Sequence, residues 1–294
     1  MMFKVSELLS ATTYPIVMSV GMALHVWLLD VGTPLALATY LPAVLGAALV
    51  TFMEWYNPER EGWKPGAADI TNDLLYMVLI QVLLPLGLAP LAIVVLVDPV
   101  NALAPGLHVL WPNEWPVPAQ AALMLFGADF LRYWLHRAAH TYALLWRLHA
   151  VHHSPDKLYW LNVGRFHPLE KALQFVFDTL PFMLLGVAPE VVTMYFVFYS
   201  INGFFQHCNI KLRFGLLNYV ISSAELHRWH HSRLPKESNN NYGNNVIVWD
   251  WLFGTRYLPD TAQVGPLGLL DDTYPMSFSA QLKAPFERSG GARK

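Results

Sequence analysis

The sequence predicts an all-α integral membrane protein, a helical bundle of about four to six membrane-embedded helices. Hydrophobic residues make up 54% of the chain and charged residues only 14%, whereas roughly a quarter of the residues in soluble domains are charged. Long uncharged apolar stretches recur along the sequence, and helices are the usual way for such stretches to cross lipid. The formal net charge of −2 gives no basic footprint, so nucleic acid is not expected as a partner.

Three apolar stretches in the first hundred residues are expected to be membrane helices. Residues 14–29 are slightly shorter than the roughly 20 residues that a span requires. Residues 34–53 form a full-length apolar span that contains no basic or acidic side chain. Residues 74–97 are also uncharged, but Pro85 and Pro90 are expected to kink this helix.

The second half of the chain alternates apolar and polar segments. Residues 101–118, rich in Pro and Trp, are expected to form an interfacial loop, followed by an apolar helix over 117–135. The apolar region 169–206 is interrupted by Pro and Gly, which predicts two helices joined by a turn. The Asn-rich segment 239–245 predicts a turn, and residues 289–294 a frayed end.

Histidine is strongly clustered. Eleven of the 12 histidines follow residue 107, and eight of them form three groups at helical spacing: His136 and His140; His149, His152 and His153; His227, His230 and His231. Residues at i, i+3 and i+4 share one face of a helix, so each group presents imidazoles to one side. Within the second and third groups, the adjacent histidines (His152 and His153, His230 and His231) point in directions about 100° apart. This divergence suits the binding of two neighbouring metal ions.

Four histidines stand alone. Two metals with four or five ligands each need about eight to ten nitrogens, so His167 and His207 are expected to complete the set. His25 and His108 are expected to be ordinary core or interface residues, because a lone histidine in an apolar segment is usually hydrogen-bonded there.

The residues favour a dinuclear iron site. A zinc ion usually binds four ligands, so eight or more histidines are too many for a single zinc site. The sequence also has no His-Glu-x-x-His motif of a zinc metalloprotease. Haem needs one or two axial histidines, not clusters. The single cysteine excludes a Cys-based zinc or iron–sulfur cluster. Copper stays open, because imidazole suits it too.

The order H-x-x-x-H, H-x-x-H-H, H-x-x-H-H along a hydrophobic chain resembles the fatty acid hydroxylase / sterol desaturase superfamily of membrane diiron enzymes. The resemblance covers about residues 129–259 and includes Asn241-Tyr242-Gly243 and the segment 249–255. It implies two iron ions, with the eight clustered histidines as ligands and His207 as an additional one. It also implies O2-dependent hydroxylation of a lipid (a fatty acyl chain, a sterol or a lipid head group), with desaturation as the alternative.

The resemblance and the charge pattern together suggest partners and location. The sequence has no His-Pro-Gly-Gly segment of a fused cytochrome b5 domain, so a separate donor of the ferredoxin or cytochrome b5 type, with its reductase, is expected to supply electrons. Basic residues around the first two histidine clusters favour a cytosol-facing site. The C-terminal residues lack a dilysine retrieval pattern, which favours a multi-pass protein of the bacterial inner membrane.

The expected organisation is a single integrated domain with three regions. Residues 1–116 form an N-terminal transmembrane region, residues 117–260 a hydroxylase-like catalytic region with the histidine motifs, and residues 261–294 a C-terminal tail.

Carboxylates close to the clusters are expected to orient the ligating imidazoles through hydrogen bonds. Asp129 lies two turns before His136 inside an apolar helix, where a carboxylate is costly and usually functional. Glu225 lies two residues before His227. These two are the first candidates for such a catalytic positioning role, and Glu170 and Asp250 are further ones.

Two other classes of function compete with an oxygenase. A non-catalytic metal transporter or sensor would also use clustered histidines, but a transporter distributes its ligands near the middle of several spans. Here the clusters follow the ends of the apolar stretches. A membrane zinc hydrolase would need a Glu-bearing histidine motif, which the sequence lacks.

Overall fold

The computed structural model describes residues 5–260 and 263–287, without the side chains of Val5, Pro105 and His108. The predictions for His108 and for residues 289–294 therefore lie outside the described residues. Within the described ranges the chain is helical and has isolated β-bridges but no strand, so the prediction of an all-α membrane bundle is confirmed. The helices are α1 Val5–Asp30, α2 Leu35–Tyr56, α3 Ala67–Leu103, α4 Val117–Thr141, α5 Ala143–His153, α6 Pro168–Asp178, α7 Leu180–Leu184, α8 Pro189–His207, α9 Ala224–His230, α10 Pro235–Ser238, α11 Val248–Leu252 and α12 Phe278–Lys283.

Helices α1, α2 and α3 are each long and apolar enough to cross a membrane. They match the three predicted spans, and each helix is longer than the span predicted for it. Their outward faces carry large apolar side chains, such as Val20, Phe52 and Val94, which are 55%, 62% and 69% exposed. A continuous exposed apolar surface of this kind is suited to lipid rather than to water.

Helix α3 contains two π-helical segments beside the prolines that were expected to kink it. They are Tyr76–Leu83 and Ile93–Val97, and the α-helical part between them contains Pro85 and Pro90. Proline has no N–H to donate and its ring crowds the preceding turn. An i→i+5 hydrogen-bond pattern on either side lets the helix continue past both rings.

Small residues bring α1 and α2 close to α8. Gly21 and Gly46 both face Ile201, which is fully buried. A Cβ on Gly21 would overlap the Ile201 side chain, and one on Gly46 would lie 3.2 Å from Ile201 Cγ1. Tyr14 of α1 also donates a hydrogen bond of 3.0 Å to Asn202 Oδ1 of α8. Helix α8 is thereby fixed against the membrane helices, and its last residue, His207, is fixed with it.

This packing gives a stability prediction. Replacing Gly21 with Val should destabilise the protein by about 1–3 kcal/mol, because the added methyl groups overpack a filled contact with Ile201. The measurement is the thermal unfolding midpoint of the purified protein in detergent. Ser19→Val on the exposed face of the same helix is the matched control. Equal midpoints for the two variants would contradict the packing.

Two segments differ from their predictions. The apolar region after residue 168 forms three helices rather than two, because the short helix α7 occupies part of the expected turn. The expected interfacial loop is helical at its start, since α3 continues to Leu103 and a 3-10 turn covers Pro105–Leu110. Proline and glycine shorten helices, but they do not prevent single turns between them.

The C-terminal region is packed over its described part, residues 263–287. Leu269 and Tyr274 join a buried cluster with Trp146 of α5. Gln281 accepts a hydrogen bond of 2.8 Å from the Tyr76 hydroxyl and donates one of 2.8 Å to Ser154 Oγ. The region predicted as a tail therefore ties the membrane helix α3 to the end of α5.

Candidate metal centre

Four helix ends bring the histidines together. The last turns of α4 carry His136 and His140, and α5 carries His149, His152 and His153. Helix α8 ends at His207, and α9 carries His227 and His230 with His231 directly after it. Ser223 caps the start of α9, since its hydroxyl accepts a hydrogen bond from Leu226 N.

The ligand nitrogens of nine histidines gather in two groups. In what we call the five-histidine group, one ring nitrogen of each residue lies within 4.8 Å of the others; its members are His136, His140, His149, His153 and His230. The four-histidine group meets the same criterion; its members are His152, His207, His227 and His231. The adjacent pairs in the sequence divide between the groups, because neighbouring side chains on a helix point in different directions.

The spacing of the nitrogens is that of ligands around one ion. In the five-histidine group, Nε2 of His153 lies 3.1 Å from Nε2 of His140, His149 and His230. In the four-histidine group, Nε2 of His227 lies 3.1 Å from Nε2 of His207 and His231. Two nitrogens about 2.1 Å from one metal are about 3.0 Å apart at a right angle and about 3.4 Å apart in a tetrahedral site. The observed distances of 3.1 Å lie between these two values, so they fit nitrogens that share one metal ion.

In six of the nine histidines, the other ring nitrogen, Nδ1, forms a hydrogen bond to an oxygen atom outside the two groups. Three bonds of 2.9, 3.2 and 2.7 Å go to backbone carbonyls: His136 to Tyr242, His152 to Arg165 and His230 to Asn240. Three bonds of 3.1, 2.8 and 2.7 Å go to side-chain oxygens: His140 to Asn239, His207 to Asn162 and His149 to Glu170. A carbonyl oxygen can only accept, so Nδ1 carries the proton and the Nε2 lone pair faces the group. Converging lone pairs of this kind fit a bound metal ion.

Burial keeps these imidazoles neutral. Desolvation, followed by the neighbouring histidines, lowers the pKa of His149 and His153 well below the usual value. Desolvation also lowers the pKa of His230, to about 4. Metal ligation requires the neutral ring, so the site is in the ligating state across the physiological pH range.

Glu170 is the carboxylate that contacts a histidine of the centre. Its Oε1 lies 2.7 Å from His149 Nδ1, and both side chains are buried. A carboxylate on the far nitrogen of a ligating imidazole fixes its tautomer and its orientation. From the sequence, Glu170 was expected only as a further candidate for this role, after Asp129 and Glu225.

The expectation that Asp129 orients an imidazole directly is wrong. Its carboxylate accepts hydrogen bonds from Asn245 N, Asn245 Nδ2 and Val246 N, at 2.6, 2.7 and 2.6 Å. Asp250 likewise accepts from the backbone N–H of Tyr242 and of Gly243, both at 2.7 Å. Together they fix the segment whose Tyr242 carbonyl accepts from His136, so both act one step away from the metal centre.

The expectation for Glu225 is also wrong. Its Oε2 accepts hydrogen bonds from Phe214 N at 2.8 Å and Asn218 Nδ2 at 2.9 Å. These contacts hold the segment that precedes α9. Two residues of separation place Glu225 and His227 on opposite sides of the helix. Closeness in sequence therefore does not bring the Glu225 carboxylate to the His227 ring.

His167 lies outside both groups, which corrects its assignment as a ligand. Its Nδ1 accepts a hydrogen bond of 3.2 Å from Leu169 N at the start of α6, and its Nε2 lies 3.2 Å from the Leu282 carbonyl. Both ring nitrogens are thus engaged. His25 is a buried core residue, as expected, and donates to the Ala38 carbonyl at 2.9 Å.

The oxygen atoms that accept hydrogen bonds from the Nδ1 atoms were not predicted from the sequence. Asn162 and Asn239 serve His207 and His140, and three further partners are backbone carbonyls. Backbone carbonyls carry no residue-specific signal. The Asn-rich segment was predicted only as a turn, although Asn239 and Asn240 contact the five-histidine group through their oxygens.

A cavity of about 1000 Å³ adjoins the histidines. Four imidazoles, of His136, His149, His152 and His227, line it together with apolar side chains of α2, α3, α6 and α8. This volume is at the upper end of the range of roughly 300–1000 Å³ found for small-molecule sites. The cavity therefore has the size and lining for a long apolar ligand that reaches the metal centre.

Comparison with known proteins gives a consistent result. The family model for fatty acid hydroxylase matches residues 121–255. The ornithine lipid hydroxylase of Rhizobium tropici is 34% identical over 248 residues, which are 83% of this chain and 74% of that protein. The alkylglycerol monooxygenase of Xenopus tropicalis is 30% identical over 53% of this chain, but only 35% of that protein is covered. The methylsterol monooxygenase 2-2 of Arabidopsis thaliana is 29% identical over 69% of this chain and 75% of that protein. No solved structure matches the chain.

Proposed function

Because the chain belongs to the fatty acid hydroxylase family, we propose that it is a membrane-bound non-haem diiron oxygenase that hydroxylates a lipid with O2 and external electrons. The observation that carries the proposal is the pair of histidine groups beside one apolar cavity. The relatives named above are a hydroxylase and monooxygenases of lipids. Ten ligands were expected from the sequence, and we propose the nine histidines of the two groups, without His167, as the ligands of two iron ions.

The chain's own residues hold, orient and shield the reacting groups. Nine imidazoles supply neutral nitrogen ligands, and the Nδ1 partners of six of them keep those rings aimed inward. The cavity walls keep water away and position an acyl chain or ring system next to His136 and His152. When bound, the iron pair supplies O2 activation and the removal of hydrogen from an unactivated carbon.

The location and the electron supply are further parts of the proposal. The three apolar helices make the chain a membrane protein. We propose the bacterial inner membrane with the metal centre on the cytoplasmic side, supported by the basic residues near the clusters and by the rhizobial relative. A separate ferredoxin or cytochrome b5 type of protein with its reductase is proposed as the electron donor.

Lipid mass spectrometry tests the function. Cells with and without the protein should differ by lipids that gain one oxygen atom, and the wild-type protein purified under iron-replete anaerobic conditions should hold two irons per chain. Lipids that lose two hydrogens instead would identify the desaturase alternative. Stoichiometric zinc under the same conditions, or unchanged lipids, would contradict an oxygenase.

The cavity gives a second prediction. Gly203 of α8 lines it, and an added Cβ meets only Val163 Cγ2 at 3.8 Å. Gly203→Leu should therefore fold, fill part of the cavity and lower lipid turnover by about tenfold or more, since one misplaced ångström costs on the order of 10²-fold. The measurements are iron content and turnover, with Ala11→Leu on the exposed face of α1 as the control. Loss of iron from Gly203→Leu would contradict a role confined to substrate binding.

A further inference from the structure

We propose that Lys171 and Tyr199 form an anion subsite in the cavity, which holds the carboxylate or phosphate group of the lipid substrate. The proposal rests on the proposed function and extends it by naming a substrate class, a lipid with an acidic group. It arises from a charged side chain that neither the metal centre nor the helix packing uses.

Lys171 is a buried cation that no carboxylate of the described residues contacts directly. It lies in the first half of α6, its side chain is buried, and it lines the cavity beside the histidines. Within the described ranges no carboxylate oxygen lies within 4.0 Å of its Nζ, since it forms none of the ion pairs found there. A buried ammonium is costly unless it is paired.

The other charged side chains that line the cavity have close partners. Arg132 pairs with Asp178 at 3.0 Å, and both side chains are buried. Glu170, the sequence neighbour of Lys171, contacts His149 through Oε1 at 2.7 Å, and its Oε2, which has no hydrogen-bond partner among the described residues, attracts Lys171 only at longer range. Lys171 is therefore the cation of the cavity lining that no carboxylate in the described part of the chain contacts directly, and a bound anion can contact it.

Tyr199 completes the subsite. Lys171 Nζ donates to the Tyr199 hydroxyl at 3.4 Å and lies 5.4 Å from the centre of its ring. The hydroxyl accepts in this contact, so its own proton is available to an anion. Tyr199 also lines the cavity. An ammonium and a phenol side by side match the oxygens of a carboxylate or a phosphate.

Position in the cavity explains why the ligand is a lipid rather than a free anion. The remaining lining is mainly apolar, with residues such as Val44, Leu86 and Phe196 on three different helices. A small inorganic anion would leave this surface unfilled. An acidic lipid places its charged group at Lys171 and its chain along the apolar walls.

Equilibrium binding to the full-length protein in neutral phosphatidylcholine nanodiscs tests the subsite. The probes are radiolabelled oleate, oleyl phosphate and oleyl alcohol, which share one chain and differ in the head group. The wild type should bind at least one acid about tenfold more tightly than the alcohol. The tighter acid identifies a carboxylate or a phosphate subsite, and equal affinity for all three probes would overturn the proposal without any variant.

Variants locate the effect. Lys171→Met keeps the apolar stem and should abolish the preference for acids while leaving alcohol binding within about twofold; Lys171→Arg should retain most of it, and Tyr199→Phe should reduce it by a smaller factor. Lys157→Met removes a lysine that pairs with Asp69 at 2.6 Å and does not line the cavity, so it should bind like the wild type. A preference that survives Lys171→Met, or that Lys157→Met abolishes equally, would overturn the subsite. Because binding is measured without turnover, failure of the subsite leaves the hydroxylase proposal intact, and absent turnover leaves the subsite intact.

Discussion

His153→Ala and His231→Ala are each expected to reduce lipid hydroxylation below about 0.1% of the wild-type rate, a loss of ~4 kcal/mol of transition-state stabilisation. The two residues belong to different groups. His153 Nε2 lies 3.1 Å from Nε2 of three other histidines, and His231 Nε2 lies 3.1 Å from Nε2 of His227. Removal of one imidazole leaves a gap in its group and weakens the metal held there. If the proposed diiron centre is correct, each variant should therefore lose one iron preferentially, and the proposed reaction needs both.

Iron content by plasma mass spectrometry and turnover on extracted lipid check this result. Membrane insertion should be unchanged, since both residues lie outside the three candidate spans. His167→Asn is the matched control, because asparagine preserves the cap on α6 and His167 lies outside both groups. It should retain two irons and near wild-type turnover. A His153→Ala or His231→Ala protein with normal activity would refute the assignment of the groups.

Glu170→Ala is expected to lower iron affinity or turnover by about 10–100-fold. The variant removes the acceptor that fixes His149 Nδ1 at 2.7 Å, so the ring is free to rotate and to change tautomer. Glu170→Gln retains an acceptor oxygen and should restore part of the loss. The measurement is iron retention under a graded series of chelator concentrations, together with the absorption spectrum of the iron-loaded protein.

Glu225→Gln provides the comparison for this experiment. Glu225 accepts from Phe214 N and Asn218 Nδ2 and contacts no imidazole of the centre. Its replacement should leave iron retention and the absorption spectrum unchanged, although it costs some thermal stability. If Glu225→Gln lost iron as readily as Glu170→Ala, the proposed link through His149 would not explain the effect.

The sequence was sufficient for the all-α membrane fold and for the family of lipid monooxygenases. Apolar stretches of spanning length have few alternatives to helix in lipid, because backbone polar groups there must bond within the segment. The grouping of the eight clustered histidines could be predicted because residues at i, i+3 and i+4 lie on one face of a helix. His207, a lone histidine at the end of an apolar region, joined them in the four-histidine group.

The roles of isolated residues could not be predicted from helical spacing. His167 and Glu225 lie close to the clusters along the chain, yet one caps α6 and the other holds the segment before α9. Glu170 lies 21 residues from His149 in sequence and contacts it directly. Helical period fixes which neighbours within one helix share a face, but contacts between helices depend on how they pack.

The features that could be predicted from the sequence alone are therefore local: the helices, their apolar faces and the spacing of histidines within each cluster. Packing between helices sets how nine imidazoles divide into groups of five and four. It also sets which oxygens accept from their Nδ1 atoms, and it places Lys171 at the cavity with no carboxylate of the described ranges in direct contact. These contacts join segments that are separated by tens of residues. Their geometry follows from helix packing, such as the close approach at Gly21 and Gly46, and not from any short pattern in the chain.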